Sequence, residues 1–202
     1  MKHIILFFLT TLLLAGCSSD DSNKNKLPPI TQTGENTFGV TIKGKVYIPR
    51  DPTGVSVGPD VHAVIYTGGY ADTTWRELII VDGASSVGFK MVIHFKDMVN
   101  QGVGNYILKQ SNFQDNIDSA PIDHIYFKIF DYSIGNYVYY GSLENQGNII
   151  VTRFNGSLTQ NWILSGTFTG KFAKYGDPND VIDINDGRFD FNLNSLSSHV
   201  FP

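Results

Sequence analysis

The sequence predicts an all-β protein: a single antiparallel β-sandwich or closed β-barrel of about 8–10 short strands, with at most one short helix. Three observations carry this. From Cys17 onward, Val, Ile, Phe, Tyr, Thr and Trp supply 69 of 186 residues, whereas the strong helix formers Ala, Leu and Glu supply only 16. Apolar residues alternate with polar ones along successive segments, the period of a strand with one buried face. Turn dipeptides separate these segments, and neither an internal repeat nor a second linker divides them.

Taken in order, Phe38, Val40, Ile42, Val46 and Ile48 alternate with Thr37, Thr41, Lys43, Lys45 and Tyr47, so 37–48 reads as a half-buried strand. Further strands are expected at 60–67, 75–82, 86–95, 104–109, 122–131, 136–141, 148–154 and 180–184. The alternations Trp162, Leu164, Phe168, Phe172 and Phe189, Phe191, Leu193 add two more. Leu78-Ile79-Ile80-Val81 and Ile125-Tyr126-Phe127 are apolar on both faces and predict central strands covered twice. Lys96-Asp97-Met98-Val99-Asn100 is the best candidate for one helical turn. Asp82-Gly83, Asn155-Gly156 and Asp186-Gly187 read as tight turns, the last as a hairpin with Gly187 at positive φ.

The amino terminus reads as an export signal. Lys2 and His3 precede an apolar run, Ile4 to Leu14, which is too short for a spanning helix of about 20 residues. It ends in Leu14-Ala15-Gly16-Cys17, the pattern of a lipobox whose cysteine receives a diacylglycerol. Cys17 is the sole cysteine, so no disulfide is available in an oxidising compartment. Residues 1–16 are thus expected as a lipoprotein signal peptide, 17–36 as a polar, then proline-containing tether, 37–194 as the β domain and 195–202 as a tail. Ser18, Ser19, Asp20 and Asp21 resemble the surface-export signal of Bacteroidota lipoproteins.

A wider resemblance covers roughly residues 27–193. The stretch Leu27-Pro28-Pro29-Ile30-Thr31-Gln32-Thr33-Gly34, then Ile42-Lys43-Gly44-Lys45-Val46-Tyr47-Ile48-Pro49, resembles the opening of a family of Bacteroidota lipoproteins of unknown function. Ile163-Leu164-Ser165-Gly166-Thr167-Phe168 and Ile184-Asn185-Asp186-Gly187-Arg188-Phe189-Asp190 are similar to its end. The resemblance implies an envelope location and one β-rich domain. It implies no activity, and the cysteine many members carry where Val40 stands is absent here.

The net charge is −4, from 15 Lys+Arg against 19 Asp+Glu, with no basic run. Nucleic acid is therefore not an expected partner, because phosphate neutralisation needs clustered cations. A membrane-spanning barrel would make a lipid anchor redundant. No G-x-S-x-G, H-E-x-x-H or phosphate-binding loop is present, and only Glu35, Glu77 and Glu144 could supply a glutamate pair, so no catalytic residue and no cofactor is assigned. His62, His94 and His124, spaced by about 30 residues, match no local ligand pattern and are expected as solvated strand residues rather than a metal site. The Asp-rich stretch 177–187 lacks the glycine position and closing glutamate of a calcium loop. Asp72-Thr73-Thr74 and Asp118-Ser119-Ala120 resemble a three-residue O-glycosylation motif at Thr73 and Ser119. Trp75, Tyr137 and Tyr139 are the candidate ligand-binding residues. On a strand Tyr137 and Tyr139 share one face and Val138 and Tyr140 the other. The tyrosine pair forms an outer platform if Val138 and Tyr140 face inward, and packs in the core if they do not.

The sequence-level expectation is a non-catalytic binding or structural module held on the outer membrane by its N-terminal lipid, facing a glycan or another envelope protein. A carbohydrate-binding module and a lipocalin-like carrier of a small apolar ligand are its alternatives. An empty lumen would favour the carrier. A filled core with exposed aromatics would favour the sugar binder.

Overall fold

The computed structural model describes residues 26–54, 62–68, 73–114, 121–155 and 161–202. The signal sequence, Cys17, Ser18, Ser19, Asp20, Asp21, Gly156 and Ser119 lie outside them. The elements are β1 (Thr37–Ile42), β2 (Lys45–Tyr47), β3 (Val64–Gly68), β4 (Arg76–Val81), β5 (Lys90–Phe95), α1 (Met98–Gln101), β6 (Gly104–Ile107), β7 (His124–Asp131), β8 (Asn136–Phe154), β9 (Ile163–Lys174) and β10 (Asp177–Asn192). A 3₁₀ turn, Leu196–Ser198, follows. The protein is all-β, as expected.

One antiparallel sheet, ordered β2-β1-β10-β9-β8-β7-β5-β4-β3, curls into a half-barrel. β6 pairs with β8 beyond the reach of β7, so two strands share one edge of β8 end to end. The chain just past β2 ties back to the end of β4: Arg50 forms a bidentate pair with Asp82 (2.7 and 2.6 Å), and the Asp51 carboxylate accepts the N–H groups of Ala63 and Phe201 (both 2.8 Å).

Rings fill the inside of the curl. Phe127 stacks on Tyr140 (5.7 Å) and tilts against Phe172 (5.4 Å), Phe38 stacks on Phe168 (6.1 Å), and Phe95 meets Tyr106 edge-on (5.2 Å). These belong to one contiguous buried cluster that every strand except β2 enters directly. Burying such rings supplies the bulk of the driving force in a domain of this size.

Four expectations change. The strand read at 37–48 is two strands, because Lys43 and Gly44 take φ of 49° and 76° and close a two-residue hairpin between Ile42 and Lys45. The strands read at 136–141 and 148–154 are the single β8, 19 residues long with an irregularity between Ser142 and Gly147, so the strands are not uniformly short. Asp186-Gly187 is not a hairpin. It sits within β10 at a bulge, the Asp186 carboxylate accepting the Thr41 N–H (2.9 Å), and the reversal falls at Tyr175-Gly176, with Gly176 at φ 80°. Asp-Gly serves bulges as well as turns, and sequence alone does not separate the two.

The fourth concerns the tether, which does not run free to residue 36. Asp190, 1% exposed, accepts hydrogen bonds from the Thr31 hydroxyl (2.6 Å), the Ser165 hydroxyl (2.5 Å) and the backbone N–H groups of Thr33, Gly34 and Glu35. Arg153 and Arg188 reach the carbonyls of Gln32 and Pro28. The segment from Leu27 is thus laid against the sheet, where Gly39 leaves room: a Cβ there would lie 2.5 Å from Pro28 Cδ.

Candidate functional site

Strand alternation puts Tyr137 and Tyr139 on one face, as expected, and the structure decides which face that is. Val138 (6% exposed) and Tyr140 (0%) point into the core, so Tyr137 and Tyr139 project from the outer face. They are not equally available. The Lys128 ammonium sits 4.8 Å over the Tyr137 ring and Phe130 packs edge-on against it at 5.4 Å, so Tyr137 is a packing residue. Tyr139 is 42% exposed.

A second exposed ring stands beside Tyr139. The β9–β10 turn places Tyr175, 69% exposed, next to it, its N–H donating to the Tyr139 carbonyl at 2.8 Å. Phe113 closes the group, edge-on to Tyr175 (5.1 Å) and tilted against Tyr126 (6.2 Å). Phe113 has φ of 60°, costly for a bulky side chain. Two features hold it there. The Ser111 Oγ accepts its N–H (3.1 Å), and its ring lies over Gly141, where a Cβ would come within 2.6 Å of Phe113 Cζ and 2.7 Å of Ser111 Cβ. Strain maintained by its surroundings at an exposed aromatic group is the kind of feature that accompanies binding sites.

Trp75 does not stand alone as a platform. It is half-buried, with its ring 5.5 Å from that of His94. Beneath it Glu77, His94 and His124 are directly opposite one another on β4, β5 and β7, exposed by 3%, 0% and 0%. The expectation of solvated histidines at 94 and 124 is therefore corrected. His94 Nδ1 donates to the Ile122 carbonyl (2.6 Å), since a carbonyl can only accept, and His124 Nδ1 meets the Ser111 hydroxyl at 3.0 Å. The two rings are 5.5 Å apart. His62 precedes β3 and is exposed.

Chemically, the row is a buried polar seam. Ser111 (5% exposed) and His124 are closed off from solvent, which leaves neither presented to a substrate. Among the described residues no group of three His, Cys, Asp or Glu side chains is arranged to hold a metal ion. The seam fastens the 109–113 segment, and so Phe113, to the sheet. Sequence spacing hid it because a separation of 30 residues reflects the β5–β7 register, not a local motif. The usable signal was that Ile93 and Ile125 both face inward, which puts His94 and His124 on the same outer face once the strands are neighbours.

The remaining sequence candidates scatter. The Thr73 carbonyl accepts from Arg76 (3.1 Å) and its side chain is half-buried. Asp180 accepts the Tyr140 hydroxyl (3.0 Å) and pairs with Lys174 (3.6 Å), so the acidic residues of β10 serve separate contacts. The chain matches no family profile, no curated protein and no solved structure.

Proposed function

We propose that this chain is a lipid-anchored, non-catalytic binding module of the bacterial cell envelope whose outer face at Tyr139, Tyr175 and Phe113 takes an extended carbohydrate. The observation that carries the reading is a ring-filled interior combined with two exposed tyrosines, Tyr139 on β8 and Tyr175 in the β9–β10 turn beside it. Aromatic faces stack on the apolar face of a sugar ring, and tyrosine adds a hydroxyl for the sugar's own hydroxyls. The filled interior argues against the apolar-ligand carrier, which needs an empty lumen.

The envelope location rests on the Leu14-Ala15-Gly16-Cys17 run and the polar Ser18-Ser19-Asp20-Asp21 that follows. The resemblance to Bacteroidota lipoproteins supports it. A diacylglyceryl group, at about 0.8 kcal/mol per buried methylene, anchors durably with several chains. Two experiments test the proposal. The full chain, run through native gels cast with a panel of envelope and plant polysaccharides, should be retarded by at least one; retardation by none leaves a structural or protein-contact role. Cys17→Ala should abolish incorporation of an alkyne fatty acid, and unchanged labelling rejects the anchor.

A further inference from the structure

We infer that the end of the domain where its two termini meet is a membrane-contacting foot, and that its apolar cleft takes phospholipid from the leaflet carrying the anchor. The inference rests on the lipidation of Cys17 proposed above.

The cleft has a volume of about 370 Å³ and lies between residues 26–29, the start of β1, Ile48-Pro49 and the carboxy terminus. Leu27, Pro29, Phe38, Ile48, Phe201 and Pro202 give it an apolar lining, and Lys26 has the one charged side chain among the residues that line it. Its flanks continue the pattern. Ile30 is 61% exposed and Val200 79%, next in sequence to Pro29 and Phe201. Solvated aliphatic side chains beside an apolar cleft are costly in water and mark a contact surface. They are held in place rather than collapsed: the Pro28 carbonyl accepts from Arg188 (3.1 Å), and the Phe201 N–H donates to Asp51 (2.8 Å).

Chain length selects the occupant. Lys26 is nine residues from Cys17, so whatever their conformation the foot stays within about 32 Å of the lipidated sulfur. Phe38 at the foot pairs with Phe189, and β10 runs from there twelve residues back to Asp177, beside Tyr175. At about 3.3 Å per residue the tyrosine face lies up to about 40 Å further along the strand. A short tether attached at one end of such a body brings that end to the bilayer. Aliphatic and proline side chains then enter the interface, and the Lys26 ammonium meets lipid phosphate.

The test uses the full lipoprotein reconstituted in vesicles of phosphatidylethanolamine and phosphatidylglycerol. Cys17 is the sole native cysteine and in the proposed anchor its sulfur is blocked as a diacylglyceryl thioether, so Val200→Cys and Tyr175→Cys each carry a single environment-sensitive fluorophore. Doxyl-labelled lipid should quench the probe at 200 by about half or more and leave the probe at 175 nearly unchanged, as expected for shallow insertion of one end. Protein that pellets with the vesicles while the probe at 200 stays unquenched overturns the foot and leaves the anchor standing. Equal quenching at both positions also overturns it. Protein left in the supernatant overturns the anchor, and the foot with it.

Discussion

Asp190 is the residue on which the entry of the chain into the domain depends. Burial alone would raise its carboxyl, but the hydrogen bonds from Ser165, Thr31 and the N–H groups of Glu35 and Gly34 outweigh this and hold it below the ordinary aspartate range. A carboxylate lowered on folding stabilises the native state fully above its unfolded-state value of about 3.9, and that contribution is lost as pH falls through the folded-state value. Asp123, raised by burial despite the Lys96 N–H, has the opposite sign and stabilises most when protonated. Replacing Asp190 isolates its own share: Asp190→Asn should lower stability at pH 7 by about 2 kcal/mol or more and flatten the loss below about pH 4, read by urea melts across pH. Gly187 gives a second prediction. A Cβ there would overlap the Phe168 ring, so Gly187→Val should destabilise by about 1–3 kcal/mol with no rescue by calcium. The glycine was legible in the sequence, but its reason was not. Asp-Gly pointed to a positive φ in a hairpin, whereas the true constraint is an aromatic ring contributed by a different strand.

At the scale of elements, alternation is local and therefore readable. It located a segment of every strand except the short β2, which the 37–48 reading absorbed. It also paired Tyr137 with Tyr139 on one face and Val138 with Tyr140 on the other, though which face turns inward became clear only from the fold. Sheet order is set by the packing of the whole chain, and whatever depends on it stayed hidden: the Glu77–His94–His124 row, the lysine over Tyr137, and Tyr175 beside Tyr139. The contact between the 109–113 segment and β8 is of this kind. Gly141→Ala places a methyl group against Phe113 and Ser111, which must then lift away. We expect faster amide exchange over 109–113 and weaker carbohydrate retention, with the core strands unchanged. Unaltered exchange across that segment would mean that Gly141 does not hold it.

The whole molecule has two ends of different chemistry, joined by β10. At one, an apolar cleft with a single lysine lies at the root of the chain leading to Cys17; at the other, Tyr139 and Tyr175 face solvent. Composition was enough to give the all-β class, and the terminal motif enough to suggest the anchor. The half-barrel's curl was beyond reach, because it follows from long strands that sequence punctuation had divided. The most direct measurement of the central claim pairs affinity with stability for Tyr139→Ala and Tyr175→Ala, using whichever polysaccharide retards the parent. Loss of one stacking ring should cost about 1 kcal/mol, roughly a fivefold weakening, while an exposed side chain leaves the melting temperature within a degree or two. Retention equal to the parent in both variants, or unfolding several degrees earlier in both, would contradict the account and return these tyrosines to packing.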